Sequence, residues 1–366
     1  MFHPIEDFHK YIAPGKRVHL AGIGGVSMCA LAEVLQGMGV TVQGSDMTDS
    51  GTVKHLRSVG IPVAIGHSAE NLKNCDAVIR TAAIHDSNPE IAGAVARGIP
   101  VYERAQAWGA IMQGYRNALC VSGTHGKTTT TSMATHIFMA AQADPTVMIG
   151  GTLPLLGKGY RVGKGDTIIL ESCEYCNSFL NFFPTVAVLL NVAADHLDFF
   201  RDLADIEHSF RRFAELLPAD GSLIINRKIS NLTEITEGLP CKVLTFGLTD
   251  DADYFATNIS YDEMGCPLFT AHFPDGSTLP VHLSVPGEHN VLNALASLAL
   301  SDILKLPAEL SAKALSSFHG TDRRFEYKGK IGGVTIIDDY AHHPTEITAT
   351  LKAAAKYPHN TLWCVF

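Results

Sequence analysis

The chain has 366 residues, 46% hydrophobic and 18% charged, which is enough apolar surface for several cores and too much for a disordered protein. Lys and Arg number 28 against 37 Asp and Glu, a net charge of −9 that speaks against nucleic acid as a partner, since neutralising phosphates needs clustered cations. No apolar run reaches the ~20 residues that cross a bilayer and the N-terminal MFHPIEDFHKYIAPGKR lacks the apolar core of a secretory signal, so the sequence reads as soluble and cytoplasmic, with no membrane partner. The eight cysteines are scattered and read as reduced thiols; only Cys173 and Cys176 form C-x-x-C, and without a second pair they read as structural.

From Arg17 onward apolar strands alternate with helical stretches, which predicts an α/β protein with parallel sheets covered by helices. A first unit, 1–107, carries strands RVHLAGI, VTVQGSD, IPVAIG, DAVIRTAA and IPVYE, with helices over Val26–Met38 and Pro89–Arg97. A second, 108–319, carries strands NALCVSG, DTIILES, TVAVLLNV, GSLIIN and CKVLTFG. It then has a small antiparallel addition between Asp253 and Val285, and helices over Asn290–Leu304 and Ala308–Phe318. A third, 320–366, reads GGVTIIDDYAHHPTEI as strand, loop and helix and NTLWCVF as the next strand. Two parallel strands cannot bury both faces of a sheet, so this unit is expected to be an incomplete domain.

VSGTHGKTTTTSM, Val121 to Met133, runs from a strand through a glycine turn into a helix, the context in which backbone N–H groups and a helix N-terminus cradle phosphate. Gly123 and Gly126 allow the tight turn, Lys127 would reach the outer phosphates and Thr128 would sit on Mg²⁺, although only Thr124 and His125 separate the glycines where the common P-loop has four residues. Near the start, HLAGIGGVSM sets Gly22, Gly24 and Gly25 between strand and helix, with Ser27 in place of a third glycine and Asp46 ending the next strand. This outline of a dinucleotide fingerprint points to a pyrophosphate without specifying hydride transfer.

Glu171, Glu174, Asn191, Asp195, His196 and Asp198 fall just past strand ends, where they read either as Mg²⁺ ligands beside a triphosphate or as helix caps. His289, Asn290 and Asn293 open an apolar helix and, from the residues alone, read first as caps. Arg323 and Arg324 form a phosphate clamp or a surface pair, and Asp338, Asp339, His342 and His343 follow a strand.

Taken in order, GIGGVSM, GTHGKTTT, ExxE, NxxxDHxD, GEHNxxNAxA, RRFE and DDYAHHPTE resemble the Mur ligases, ATP-dependent amide-forming enzymes of peptidoglycan precursor synthesis, over nearly the whole chain. DDYAHHPTE, GTHGKTTT and SNPEI look most like the family member that adds the first amino acid. The resemblance implies a three-domain architecture: an N-terminal Rossmann-like domain for a UDP-sugar, a central P-loop-type ATPase domain, and a C-terminal Rossmann-like domain, incomplete here, that receives the amino acid. It implies UDP-N-acetylmuramate, L-alanine and ATP as substrates, Mg²⁺ as metal, and an acyl-phosphate intermediate.

Carried over by residue, the resemblance gives Gly22, Gly24, Gly25, Val26, Ser27, Asp46, His67 and Arg104 to the UDP-sugar. Gly123, Thr124, His125, Gly126, Lys127, Thr128 and Thr129 go to the ATP phosphates, with Thr128 and Glu171 on one Mg²⁺ and His196 on a second. Lys127, Glu171 and His196 are thereby the catalytic set. His289, Asn290 and Asn293 move from caps to adenine-side contacts, Arg324 and Asp338 face ATP, and His342 faces the amino acid. ESCEYCNSF departs from the EADES-like run of many relatives, so Glu174 is given no role. In relatives the strand matching LWCVF leads into a Gln-Pro-His segment, which this sequence lacks. Rival readings are a murein-tripeptide-recycling or later-step member of the same family, an NAD-dependent oxidoreductase built on the first glycine loop, and a non-catalytic nucleotide-binding module. Oligomeric state is not legible in the sequence.

Overall fold

A computed structural model describes residues 5–366 and resolves them into two compact units. One comprises the chain up to Arg116 with residues 160–162 and 178–183; the other comprises 117–159, 163–177 and 184–366.

In the first unit β1 (Arg17–Ala21), α1 (Val26–Gly37), β2 (Thr41–Asp46), α2 (Gly51–Ser58), β3 (Val63–Ile65), β4 (Ala77–Arg80), α3 (Pro89–Ala96), β5 (Val101–Glu103) and α4 (Arg104–Met112) follow in order. The five strands are all parallel, in the order β3-β2-β1-β4-β5. Burial on both faces explains why Val18–Ala21 and Ala77–Arg80 are continuous buried runs without alternation. The order reverses between β1 and β4, so the carboxyl end of β1 is where an open α/β sheet offers a ligand crevice. Helix α3 starts as its sequence dictates, with the Asn88 side chain accepting from the Glu90 N–H and Pro89 in the first turn.

The second unit holds β6 (Asn117–Ser122), α5 (Lys127–Ala140), β7 (Thr146–Leu153), the first half of β8 (Lys158–Arg161), β9 (Thr167–Glu171), β10 (Val186–Leu189), α6 (Leu203–Ala214), β11 (Ser222–Asn226), α7 (Leu232–Thr236) and β12 (Lys242–Gly247). It continues with β13 (Tyr254–Tyr261), β14 (Pro267–His272), β15 (Thr278–His282), α8 (His289–Ile303), α9 (Ala308–Ser316), β16 (Glu326–Ile331), β17 (Val334–Asp338) and α10 (Pro344–Ala354). Its large sheet runs β15-β14-β13-β12-β11-β10-β6-β9-β7, parallel except for the β13-β14-β15 meander, the antiparallel addition expected between Asp253 and Val285. Leu119, Val121, Met133, Ile137, Ile169, Val188, Leu298 and Leu315 lie in one core cluster, which explains why α8 is apolar nearly all round.

Two expectations need correction. Asn360–Phe366, expected as a strand, has no regular structure, because no strand among the described residues pairs with it. The sheet of the last segment is an antiparallel hairpin of β16 and β17, in which Gly332 (φ 56°) and Gly333 (φ 87°) form the turn; read as part of a strand, these two glycines concealed it. Strand β7 is also absent from the sequence reading, since the Gly150-Gly151 pair inside it looks like a turn.

Candidate active site

The turn after β6 is built around an ammonium group. Gly123 (φ 134°) and Gly126 (φ 85°) take left-handed backbone, and Lys127 is the first residue of α5. The Lys127 Nζ donates to the Gly123 and Thr124 carbonyls at 2.6 and 3.0 Å and pairs with Glu174 Oε2 at 3.0 Å. Burial works against its charge, but the adjacent Glu174 carboxylate overrides this and raises the Lys127 pKa, so the ammonium persists. Asn191 clamps the turn, accepting from the His125 N–H at 2.8 Å and donating to the His125 carbonyl at 2.9 Å. Thr124 Oγ1 accepts from the Ala193 N–H at 2.9 Å.

Thr128 Oγ1 donates to Glu171 Oε1 at 3.0 Å, and Glu171 Oε2 accepts from the Gly150 N–H at 2.6 Å. The Thr128 hydroxyl, one residue beyond Lys127, and the Glu171 carboxylate at the end of β9 are hard oxygen donors that fit Mg²⁺, which takes one or two protein oxygens and completes its shell with phosphate and water. His196, the third expected ligand, has left-handed backbone (φ 52°), and its Nε2 lies 3.9 Å from Glu174 Oε1. Among the described residues no three His, Cys, Asp or Glu side chains converge on a point.

Beside the turn lies a cavity of about 310 Å³ lined by His125, Gly126 and Thr129, by apolar Leu190, Phe246 and Phe318, and by His289, Asn290 and Asn293. Asn290 and Asn293 sit one turn apart on α8 and are buried, Asn293 donating to Asn290 Oδ1 at 2.9 Å. Asn293 Oδ1 accepts from Thr130 at 3.2 Å and would lie 2.8 Å from a Cβ on Gly126, so this turn needs glycine for space as well as for backbone angle. His125 Nε2 is buried without a hydrogen-bond partner among the described residues, as a nitrogen awaiting a ligand atom would be.

The last segment closes the cavity with Arg324, Asp339 and Glu346. Glu346 Oε1 lies 3.2 Å from His125 Nδ1 and 3.9 Å from Arg324, and its other oxygen accepts from the His342 N–H. Although burial raises its pKa, these donors hold the Glu346 carboxyl down at about 2. Asp338 turns toward Arg323 and Lys328, 4.0 Å from each, while Asp339 lines the cavity and accepts from the Phe325 N–H at 2.8 Å. His342 stays exposed, its Nδ1 3.0 Å from the Tyr340 carbonyl and 3.6 Å from Glu346. Glu174, Glu346 and Asp339 are therefore at the site without having been assigned to it; for Glu174 and Asp339 the position just past a strand end was the available signal, whereas Glu346 lies in the first turn of α10. Cys173 and Cys176 are free thiols, Cys173 with its pKa raised by burial.

The first unit has its own turn. Gly22 (φ 77°) and Ile23 donate to the Ser45 carbonyl at 2.9 and 3.0 Å, and the Gly24 N–H donates to Asp46 Oδ2 at 2.9 Å. Ser27 Oγ accepts from Arg104 at 2.6 Å and from the Trp108 indole at 3.3 Å. Gly25 is the N-cap of α1 and Val26, its first residue, is exposed. His67 is drawn into a buried network with Ser45 and Glu90.

Three family descriptions match the chain in order: Mur ligase family, catalytic domain over residues 17–116; Mur ligase middle domain over 121–301; and Mur ligase, glutamate ligase domain over 323–366. The UDP-N-acetylmuramate--L-alanine ligase of Agathobacter rectalis is 51% identical over 98% of this chain and 78% of its own length, and that of Clostridium tetani is 47% identical over the same shares. Among solved structures, the UDP-N-acetylmuramate-alanine ligase MurC of Thermotoga maritima matches with a TM-score of 0.80 at 30% identity, covering 93% of this chain and 77% of that one. A murein peptide ligase of Psychrobacter arcticus matches with a TM-score of 0.79 at 28% identity, covering 93% and 76%.

Proposed function

Because the chain belongs to the Mur ligase family, we propose that it joins L-alanine to the lactyl carboxylate of UDP-N-acetylmuramate, with ATP converted to ADP and phosphate. It is an ATP-dependent amide-bond-forming ligase of peptidoglycan precursor synthesis. The observation that carries the site assignment is the Lys127 ammonium, fixed at the start of α5 between Glu174 and the turn carbonyls.

The substrate carboxylate attacks the γ-phosphorus of ATP and releases ADP, and the amine of L-alanine then displaces phosphate from the acyl phosphate. Most of the catalysis is positioning and charge neutralisation. Lys127 neutralises the transferring phosphoryl oxygens, the N–H groups of the turn and of α5 receive the remaining phosphates, and Arg324 meets them from the cavity wall. Thr128 and Glu171 would hold one Mg²⁺ and His196 a second, and the metal when bound screens the charge of the phosphate oxygens. The base lies in the 310 Å³ cavity against Leu190 and Phe246, with His289, Asn290 and Asn293 along its edge. His342 takes the amino-acid side, Asp339, which lines the cavity where Asp338 turns away, takes the ATP side, and Gly22, Gly24, Gly25, Val26, Ser27, Asp46, His67 and Arg104 take the sugar nucleotide. This reading assigns UDP-sugar binding to 1–107, ATP binding to 108–319 and amino-acid capture to the segment from Gly320, with cytoplasmic substrates. Among the described residues no helix is long and apolar enough to cross a membrane.

The similarity to a murein peptide ligase supports tripeptide ligation as the second reading. Phosphate release with Mg-ATP, UDP-N-acetylmuramate and a panel of amino acids and murein tripeptide separates the two. L-alanine is expected to give the fastest release; a faster rate with tripeptide, or no release with any acceptor, overturns the first reading.

A further inference from the structure

Beneath the glycine loop of the first unit lies a carboxylate that the reaction does not use. Glu90, on α3, is 0% exposed, and its two oxygens take Ser45 Oγ at 2.6 Å, His67 Nδ1 at 2.9 Å and Asn71 Nδ2 at 2.7 Å, with His19 Nε2 at 3.4 Å. These partners come from β1 (His19), β2 (Ser45) and the segment after β3 (His67, Asn71), so Glu90 joins the elements that form the floor of the loop. Ser45 belongs to both systems, since its carbonyl holds Gly22 and Ile23 while its hydroxyl holds Glu90.

The donors can be assigned by elimination. Burial alone would raise the Glu90 pKa, yet the surrounding His19, Ser45 and Asn71 donors hold it at about 2, so the group is an acceptor-only carboxylate at neutral pH. Ser45 has one proton and gives it to Glu90. His67 Nδ1, 3.1 Å from Ser45 Oγ and 2.9 Å from Glu90, must therefore carry a proton. By the same logic His19 carries its proton on Nε2, and His19 Nδ1 is left buried without a hydrogen-bond partner among the described residues.

We propose that Glu90 is a positioning residue for sugar-nucleotide recognition, which fixes His67 with Nδ1–H turned inward and so leaves Nε2 as the ring atom that meets the ligand. The ligand group it meets is a hydroxyl or the imide of the uridine moiety. The proposal rests on the reading that this unit binds UDP-N-acetylmuramate.

Two measurements on the full chain test it. In long-range ¹H–¹⁵N spectra His67 Nδ1 should appear protonated across neutral pH, and Glu90→Gln, whose amide can donate in place of accepting, should move that signal. A deprotonated Nδ1 overturns the proposal. By calorimetry Glu90→Gln should weaken UDP-N-acetylmuramate binding about tenfold, the scale of one buried hydrogen bond misdirected, while ATP affinity changes less than about twofold. Ser45→Ala should weaken it in the same direction, and analogues methylated at the uracil N3 or lacking a ribose hydroxyl identify which group His67 meets. Unchanged sugar-nucleotide affinity in Glu90→Gln overturns the proposal alone. No binding by the unsubstituted chain overturns the sugar-nucleotide reading and the proposal with it.

Discussion

Both glycine turns follow a buried parallel strand and open a helix, yet they are filled oppositely. After β1 the Gly24 N–H is taken by the Asp46 carboxylate, and Ser27 rather than a lysine follows the glycines. After β6 the same place holds the Lys127 ammonium, with Thr128 and Glu171 behind it. A turn that carries its own carboxylate is poorly suited to a triphosphate and well suited to hydroxyl groups, whereas a turn with a fixed cation is suited to the most charged part of a ligand. The glycines state only that backbone approaches a ligand closely; the charge beside them states which ligand.

The sharpest way to break that comparison is to remove the cation. Lys127→Ala should lower the rate of phosphate release by a factor on the order of 10³, as loss of a fixed charge at a reacting group does, while UDP-N-acetylmuramate affinity stays within about twofold. Parallel loss of both would mean that the two turns do not serve separate ligands. The reciprocal change is Gly24→Ala, whose Cβ would lie 2.8 Å from Asp46 Oδ2 and 3.1 Å from Val53, pushing the carboxylate off the loop. Sugar-nucleotide affinity should fall about tenfold by calorimetry, with ATP affinity unchanged.

What could be read from the sequence follows from the range of the contacts. Strand, turn, Lys127 and Thr128 are adjacent in the chain, so their arrangement is local, and Asn290 and Asn293 are one turn apart, so their shared face is too. Glu174 could not be placed that way, because the segment after it carries left-handed Cys176 and Asn177 and has no period to follow. Asp338 and Asp339 show the limit within a strand. Asp338 pairs in register with Glu326, which turns its side chain to Lys328, and the neighbouring Asp339 falls to the cavity; a one-residue choice exchanges them. Glu346 reaches His125 only because α10 packs over the turn, which nothing local encodes.

Glu346 sharpens the comparison from the other side, since its carboxylate is placed against His125 of the ATP turn and near the Arg324 guanidinium. Triphosphate must share those groups with it. Glu346→Gln should therefore tighten ATP binding by roughly threefold, the scale of a partly exposed ion pair, and leave the sugar nucleotide unaffected. Weaker ATP binding in the variant would instead make Glu346 a ligand contact.

The smallest effect concerns acid. Glu90 in one unit and Glu346 in the other are both held at about 2, below the ordinary 4.5. A depressed folded pKa stabilises above the unfolded value, so each contribution is full above pH 4.5 and is lost as pH falls toward 2. The two tryptophans allow the units to be told apart, because Trp108 is 0% exposed in the first and Trp363 is 83% exposed in the second. An acid titration followed by Trp108 emission should give a transition in that window. Glu90→Gln should start less stable at neutral pH and lose less on acidification, because the titrating group is gone, whereas Glu346→Gln should leave the Trp108 transition where it was. If the two variants behave alike, the acid response belongs to the chain as a whole, and the separate charge character drawn for the two turns does not extend to their stability.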